Sequence, residues 1–159
     1  MNKVEINKSM HLSEHFTLGE VTKTSVKTAD GNIPSHVHIE NLKNLCENWL
    51  EDLRYSHNTL YGEREEPIII TSGYRSPEVN KAVGGSPTSN HLTGCAVDIR
   101  CAGIEQAIRY ACILLDIADG TKRDYDELFI ERNKQGRYWI HFAVRPKENR
   151  RKTEFIFIR

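Results

Sequence analysis

An α+β domain, an antiparallel sheet with flanking helices, is the fold class the sequence predicts, and three observations predict it. Two segments carry apolar residues at three- and four-residue steps, five short segments are rich in β-branched and aromatic residues, and a charged turn containing glycine joins two of those five as a hairpin. At 159 residues and 18.3 kDa the chain has the size of one domain.

The elements follow in order. Residues 1–34 are mostly polar, with an apolar cluster at Phe16, Leu18 and Val21, and read as a loosely structured N-terminal arm packed on a globular domain that spans residues 35–159. From His38, the residues Ile39, Leu42, Leu45, Cys46, Trp49, Leu50 and Leu53 form one face of a helix about four turns long. After a charged loop, the β-branched run from Pro67 to Ser72 reads as a buried strand that ends in Tyr74 and Arg75. Ser76 as N-cap, Pro77 in the first turn and Glu78 beside the helix dipole predict a short helix. A loop over residues 84–94 leads into a strand in which Cys95, Val97 and Ile99 face one way and Ala96, Asp98 and Arg100 the other. Ile104, Ala107, Ile108, Ala111, Leu114 and Leu115 mark a second amphipathic helix that closes near Gly120. Residues 126–145 read as the hairpin, and residues 153–158 as a last edge strand.

Charge and composition exclude several roles. Lys plus Arg and Asp plus Glu number 22 each, so no basic field draws nucleic acid or anionic lipid. The basic run Arg145–Lys152 lacks the interleaved aromatics of a nucleic-acid site and reads as a solvated loop, with attraction to an anionic cell wall as the alternative. No apolar run reaches the ~18 residues that a membrane span needs. The N-terminal segment has no secretory h-region, so synthesis in the cytoplasm without a signal peptide is expected. The four cysteines, 46, 95, 101 and 112, have no paired metal spacing and read as free buried thiols. The pair His36 and His38 has no suitable acidic or thiol neighbour and reads as no metal site.

One constellation carries chemistry. His91 in the loop and Asp98 in the following strand can converge, with His141 arriving from the hairpin and Glu131 closing its first strand. Two histidines and a carboxylate, with a second carboxylate nearby, match a catalytic zinc site that keeps a position open for water. Spacing alone leaves surface or core histidines as the alternative.

The wider text resembles the zinc D-Ala-D-Ala carboxypeptidase family. Its S-x-H-x-x-G-x-A-x-D signature stands here as Ser89, His91, Gly94, Ala96 and Asp98, and its later W-x-H as Trp139 and His141. SGYRS at Ser72–Ser76, Asn80, the pair Gly84 and Gly85, and the segment Leu12–Glu20 match further family elements. The resemblance implies a hedgehog/D-Ala-D-Ala peptidase-like fold, Zn2+ as cofactor, and His91, Asp98 and His141 as its ligands. It implies Glu131 as general base, although some members carry that carboxylate three residues before the last histidine, where this chain has Tyr138. Glu127, four positions earlier, is expected to lie out of reach. Arg75 is implied to bind a carboxylate or an oxyanion, and Ser89, Tyr74 and Trp139 to contact substrate, with a surface salt bridge for Arg75, N-capping for Ser89 and core packing for the two aromatics as alternatives. The implied activity is hydrolysis of peptidoglycan stem peptides by a monomer, as a carboxypeptidase or an endolysin-type endopeptidase that reaches the wall by a phage-type release route. A non-catalytic zinc-containing module that binds cell wall or protein is the alternative, and a phage tail component a third.

Overall fold

Alternation along three strands divides a sheet into an oily face and a polar face, and that division organises the protein. The computed structural model describes residues 6–158. Its elements are α1 (Leu18–Val21), α2 (His36–Leu45), α3 (Glu51–Tyr61), β1 (Ile70–Ser72), α4 (Pro77–Ala82), β2 (Ala96–Arg100), α5 (Ile104–Thr121), β3 (Glu127–Arg132), β4 (Tyr138–Ala143) and β5 (Lys152–Phe157). The five strands form one sheet in the order β1-β2-β4-β3-β5, a mixed α and β architecture consistent with the α+β expectation.

Val97, Ile99, Leu128, Ile140 and Phe142 point to the helices and join the core with Leu42, Leu45, Trp49, Leu53, Ala107 and Leu114. Burying each of the Val, Leu, Ile and Phe side chains contributes about 1.5–3 kcal/mol. The opposite face carries Asp98, Arg100, Glu127, Phe129, Glu131, Trp139 and His141, because those positions are two apart along each strand and the register aligns them. Asp98 sits opposite His141, Arg100 opposite Trp139, and Phe129 and Glu131 opposite His141 and Trp139.

Four features depart from the sequence reading. The first helix runs on from α2 through a π turn at Cys46–Leu50 into α3, ending at Tyr61 rather than after four turns. Its core face continues through buried His57, whose ring meets Tyr110 edge-on at 4.9 Å, and an apolar count passes over a histidine. The sheet is also not wholly antiparallel, since β5 pairs parallel to β3. β4 ends where β3 begins, at Ala143 opposite Glu127, and a return of residues 144–151 at that end can only launch β5 in the direction of β3.

The segment before α2 is tighter than a loose arm. Leu12, Phe16, Leu18 and Val21 lie in the main core, and Thr17 and Glu20 close a capping box on α1. Cys46, Cys95 and Cys101 are free and buried as expected, but Cys112 is exposed on the outer side of α5. Burial pushes the Cys46 thiol far up and that of Cys101 up to about 12.

Candidate metal centre

Backbone geometry brings the site together before any side chain is considered. Ser89 caps a 3-10 turn over Asn90–Thr93 by accepting a hydrogen bond from the His91 amide at 3.2 Å. Gly94 ends the turn at φ +71°, where a side chain would be strained and a Cβ would stand 2.5 Å from the His38 carbonyl oxygen. The chain then enters β2 and presents Asp98 on the polar face. Gly73 secures the loop from the other side: its carbonyl accepts from His91 Nδ1 at 2.6 Å, and a Cβ there would lie 2.1 Å from the Val21 carbonyl oxygen.

His91, Asp98 and His141 are 2%, 8% and 9% exposed, and one donor atom from each lies within 4.8 Å of the others. Asp98 Oδ1 is 3.3 Å from His91 Nε2 and 3.1 Å from His141 Nδ1. Ligands about 2.0–2.1 Å from a tetrahedral ion stand roughly 3.3–3.4 Å apart, so this donor set fits zinc in charge, chemistry and spacing. The remaining ring nitrogens are engaged as metal ligands require, His91 Nδ1 by the Gly73 carbonyl and His141 Nε2 by Glu127 Oε1 at 3.3 Å. Arg75 donates from Nη2 to Asp98 Oδ2 at 3.0 Å and from Nε to Ser72 at 2.9 Å, leaving Oδ1 to face the histidines. The Phe129 ring stacks on His141 at 5.3 Å.

Electrostatics separates the two glutamates. Burial works to raise the Glu127 pKa, but hydrogen bonds from His141 and Asn90 bring it below the ordinary value. Glu131 moves the other way, raised first by burial and then by the Asp98 charge. Burial opposes the charge of Asp98 too, yet the two imidazoles hold its carboxyl well below the usual range. Burial also disfavours a charged His141, but Asp98 and Glu127 outweigh it and raise that pKa to about 9.

The structure sorts the remaining expected residues. An open cleft of about 540 Å3 exposes His141 and Glu131, with Ser89 on one wall and Arg145, Arg150 and Lys152 on another. Trp139 shares the polar face but lines a neighbouring cleft of about 970 Å3 with Arg100 and Thr71, and His91, Asp98 and His141 do not line that larger cavity. Tyr74 is 5% exposed and stacks on His38 at 5.1 Å, so it packs in the core and lines neither cleft. Tyr138 faces away from His141, because three positions along a strand reverse the side, and its ring meets Phe155 edge-on.

Four residues escaped the sequence reading. Glu127, expected out of reach, touches His141. Asn90 donates to Glu127 and, at 2.8 Å, to Asp126 Oδ2. Asp126 is fully buried and takes two guanidinium hydrogen bonds from Arg150, at 2.9 and 2.8 Å. The run Arg145–Lys152 is therefore not a free solvated loop, since Arg150 clamps it to the wall of the site. The signal for Glu127 was available: residues 127, 129 and 131 share one face of a strand.

The family described as Peptidase M15 matches residues 14–122, which include SGYRS, His91 and Asp98. The match stops short of Glu131 and His141, and the pairing of β2 with β4 is what sets His141 beside Asp98. No curated protein matches the chain.

Proposed function

Since the chain belongs to the Peptidase M15 family, whose members are zinc-dependent, we propose that this metallopeptidase hydrolyses peptidoglycan stem peptides at the His91–Asp98–His141 centre. The observation that carries the reading is the buried donor triad with both spare histidine nitrogens already engaged, beneath a cleft open to a peptide. Bound by the triad, zinc supplies Lewis acidity, polarising the scissile carbonyl and lowering the pKa of water towards ~7.

The chain's own residues do the rest. Glu131 takes the proton of the attacking water and returns it to the leaving amine. Its raised pKa suits a group that must hold a proton for part of the cycle, and its position, two residues or about 7 Å along β3 from the Phe129–His141 pair, sets it at the edge of the centre rather than in the ligand set. Arg75 keeps Asp98 oriented with Nη2 and brings positive charge to the place where an oxyanion develops. Ser89, on the wall of the cleft, is available to substrate as well as to the His91 amide, and Trp139 offers an apolar surface beside it.

The test is metal analysis of protein purified without a metal-affinity tag, followed by digestion of purified peptidoglycan with and without a chelator. Near-stoichiometric zinc with chelator-sensitive release is expected. Free D-alanine identifies a carboxypeptidase, and cleaved internal muropeptide bonds an endopeptidase. Stoichiometric zinc with no release from several wall types would replace this reading with the non-catalytic binding module.

A further inference from the structure

We propose that Glu127 is a positioning residue for the metal centre: its carboxylate holds His141 with the proton on Nε2, so that Nδ1 is presented to the metal, and Asn90 and Arg150 hold Glu127 in turn. The inference rests on the zinc reading of the triad.

A carboxylate only accepts hydrogen bonds, so in the neutral imidazole that a metal needs, with Nδ1 and Asp98 both given to the metal, the 3.3 Å contact between Glu127 Oε1 and His141 Nε2 holds the one remaining ring hydrogen on Nε2. An imidazole with its proton there carries its lone pair on Nδ1, the nitrogen that lies 3.1 Å from Asp98 Oδ1 and faces His91. The same logic holds at His91, where the Gly73 carbonyl takes the Nδ1 proton and leaves Nε2 as donor. Each histidine thus ligates through the nitrogen that its neighbour leaves free, and Glu127 makes that selection for His141.

Glu127 can do this only if it is fixed, and three contacts fix it. Asn90 donates to Oε1, Arg150 Nη2 stands 3.5 Å from Oε2, and the backbone places residue 127 in β3 opposite Ala143. Asn90 is the residue immediately before His91. The circuit His141–Glu127–Asn90 therefore ties the strand that delivers one histidine to the turn that delivers the other, and sets the separation of the ligands as well as the tautomer. Arg150 is itself immobilised on buried Asp126, so neither oxygen of Glu127 is left free to swing into the cleft.

Competition titration of the full-length apoprotein with zinc and a chromophoric chelator tests the inference, on the wild type, Glu127→Ala and Glu127→Gln. Loss of such a partner weakens a metal site by about 10–100-fold. Glu127→Ala should show that loss, and Glu127→Gln should recover much of it, because its amide oxygen still accepts from Nε2–H. In the zinc-loaded wild type, 15N-resolved imidazole spectra should show a slowly exchanging His141 Nε2–H, absent from Glu127→Ala. Thermal unfolding of each apoprotein separates these effects from a general loss of fold, which would move the melting temperature but would not follow the Ala-to-Gln recovery. Wild-type affinity in Glu127→Ala, or equal weakening in both variants, would overturn the inference while leaving the peptidase reading intact. A wild type that takes up no zinc would overturn the metal reading, and the inference with it.

Discussion

Histidine and carboxylate chemistry at the centre leads to two predictions about single residues. His91→Ala removes a ligand and should abolish zinc binding, whereas Glu131→Gln should keep the metal and lose turnover by about 10²–10⁴-fold. Metal content beside the rate of peptide release checks both, and an active Glu131→Gln protein would remove the proposed base. A third concerns pH. Asp98 and Glu127, outweighing burial, raise the His141 pKa to about 9, and the imidazole must lose a proton before it can ligate. Zinc affinity should therefore climb with pH, by roughly tenfold per unit between pH 6 and 8, and level off near pH 9; competition titrations across that range measure the slope. The cluster of His91, Asp98 and His141 was legible in the sequence as His-x6-Asp with a later Trp-x-His. Glu127 was readable only as far as the strand face it shares with Glu131, and Asn90 not at all, because their contact joins positions 37 residues apart and exists only once the register of β3 against β4 is set. Tyr74 shows the converse: next to Arg75 in a matched motif, it turns into the core.

Elements impose their own constraints, and Gly73 at the end of β1 bears the tightest. A Cβ there would meet the Val21 carbonyl oxygen at 2.1 Å, backbone that cannot move aside without dislodging α1. Gly73→Ala should cost about 3 kcal/mol, at the upper end for overpacking, and lower the melting temperature by roughly 6–12 °C, as thermal unfolding would show. The strands and their faces were readable from alternation, which placed Asp98 and Arg100 on the polar side correctly. The π turn within the long helix and the parallel pairing of β5 were not, since the first changes no residue type and the second depends on where β4 stops. Alternation also explains the departure at Tyr138: an odd offset from His141 puts that side chain on the helix side, whereas Glu131, opposite Trp139, shares the face of His141.

Across the whole molecule, the tie between Asp126 and Arg150 joins the C-terminal strand to the site. Burial opposes the charge of Asp126, but hydrogen bonds from Arg150 and Asn90 bring its pKa down from 3.8 to about 2. A lowered folded-state pKa contributes stability that is present above pH 3.8 and is lost as pH falls through about 2, worth about 2 kcal/mol at neutral pH. Asp126→Asn should therefore be less stable than the wild type at pH 7, with the gap closing by pH 2, as urea unfolding at the two pH values would reveal. No helix among the described residues is long and apolar enough to cross a membrane, in line with the composition. The exposed thiol of Cys112 has a practical consequence. α5 packs on the side of the sheet opposite the cleft, and the other three thiols are buried. A maleimide reagent should therefore attach once, at a point behind the working surface, and the protein could be tethered to a bead or a fluorophore with its mouth turned outward.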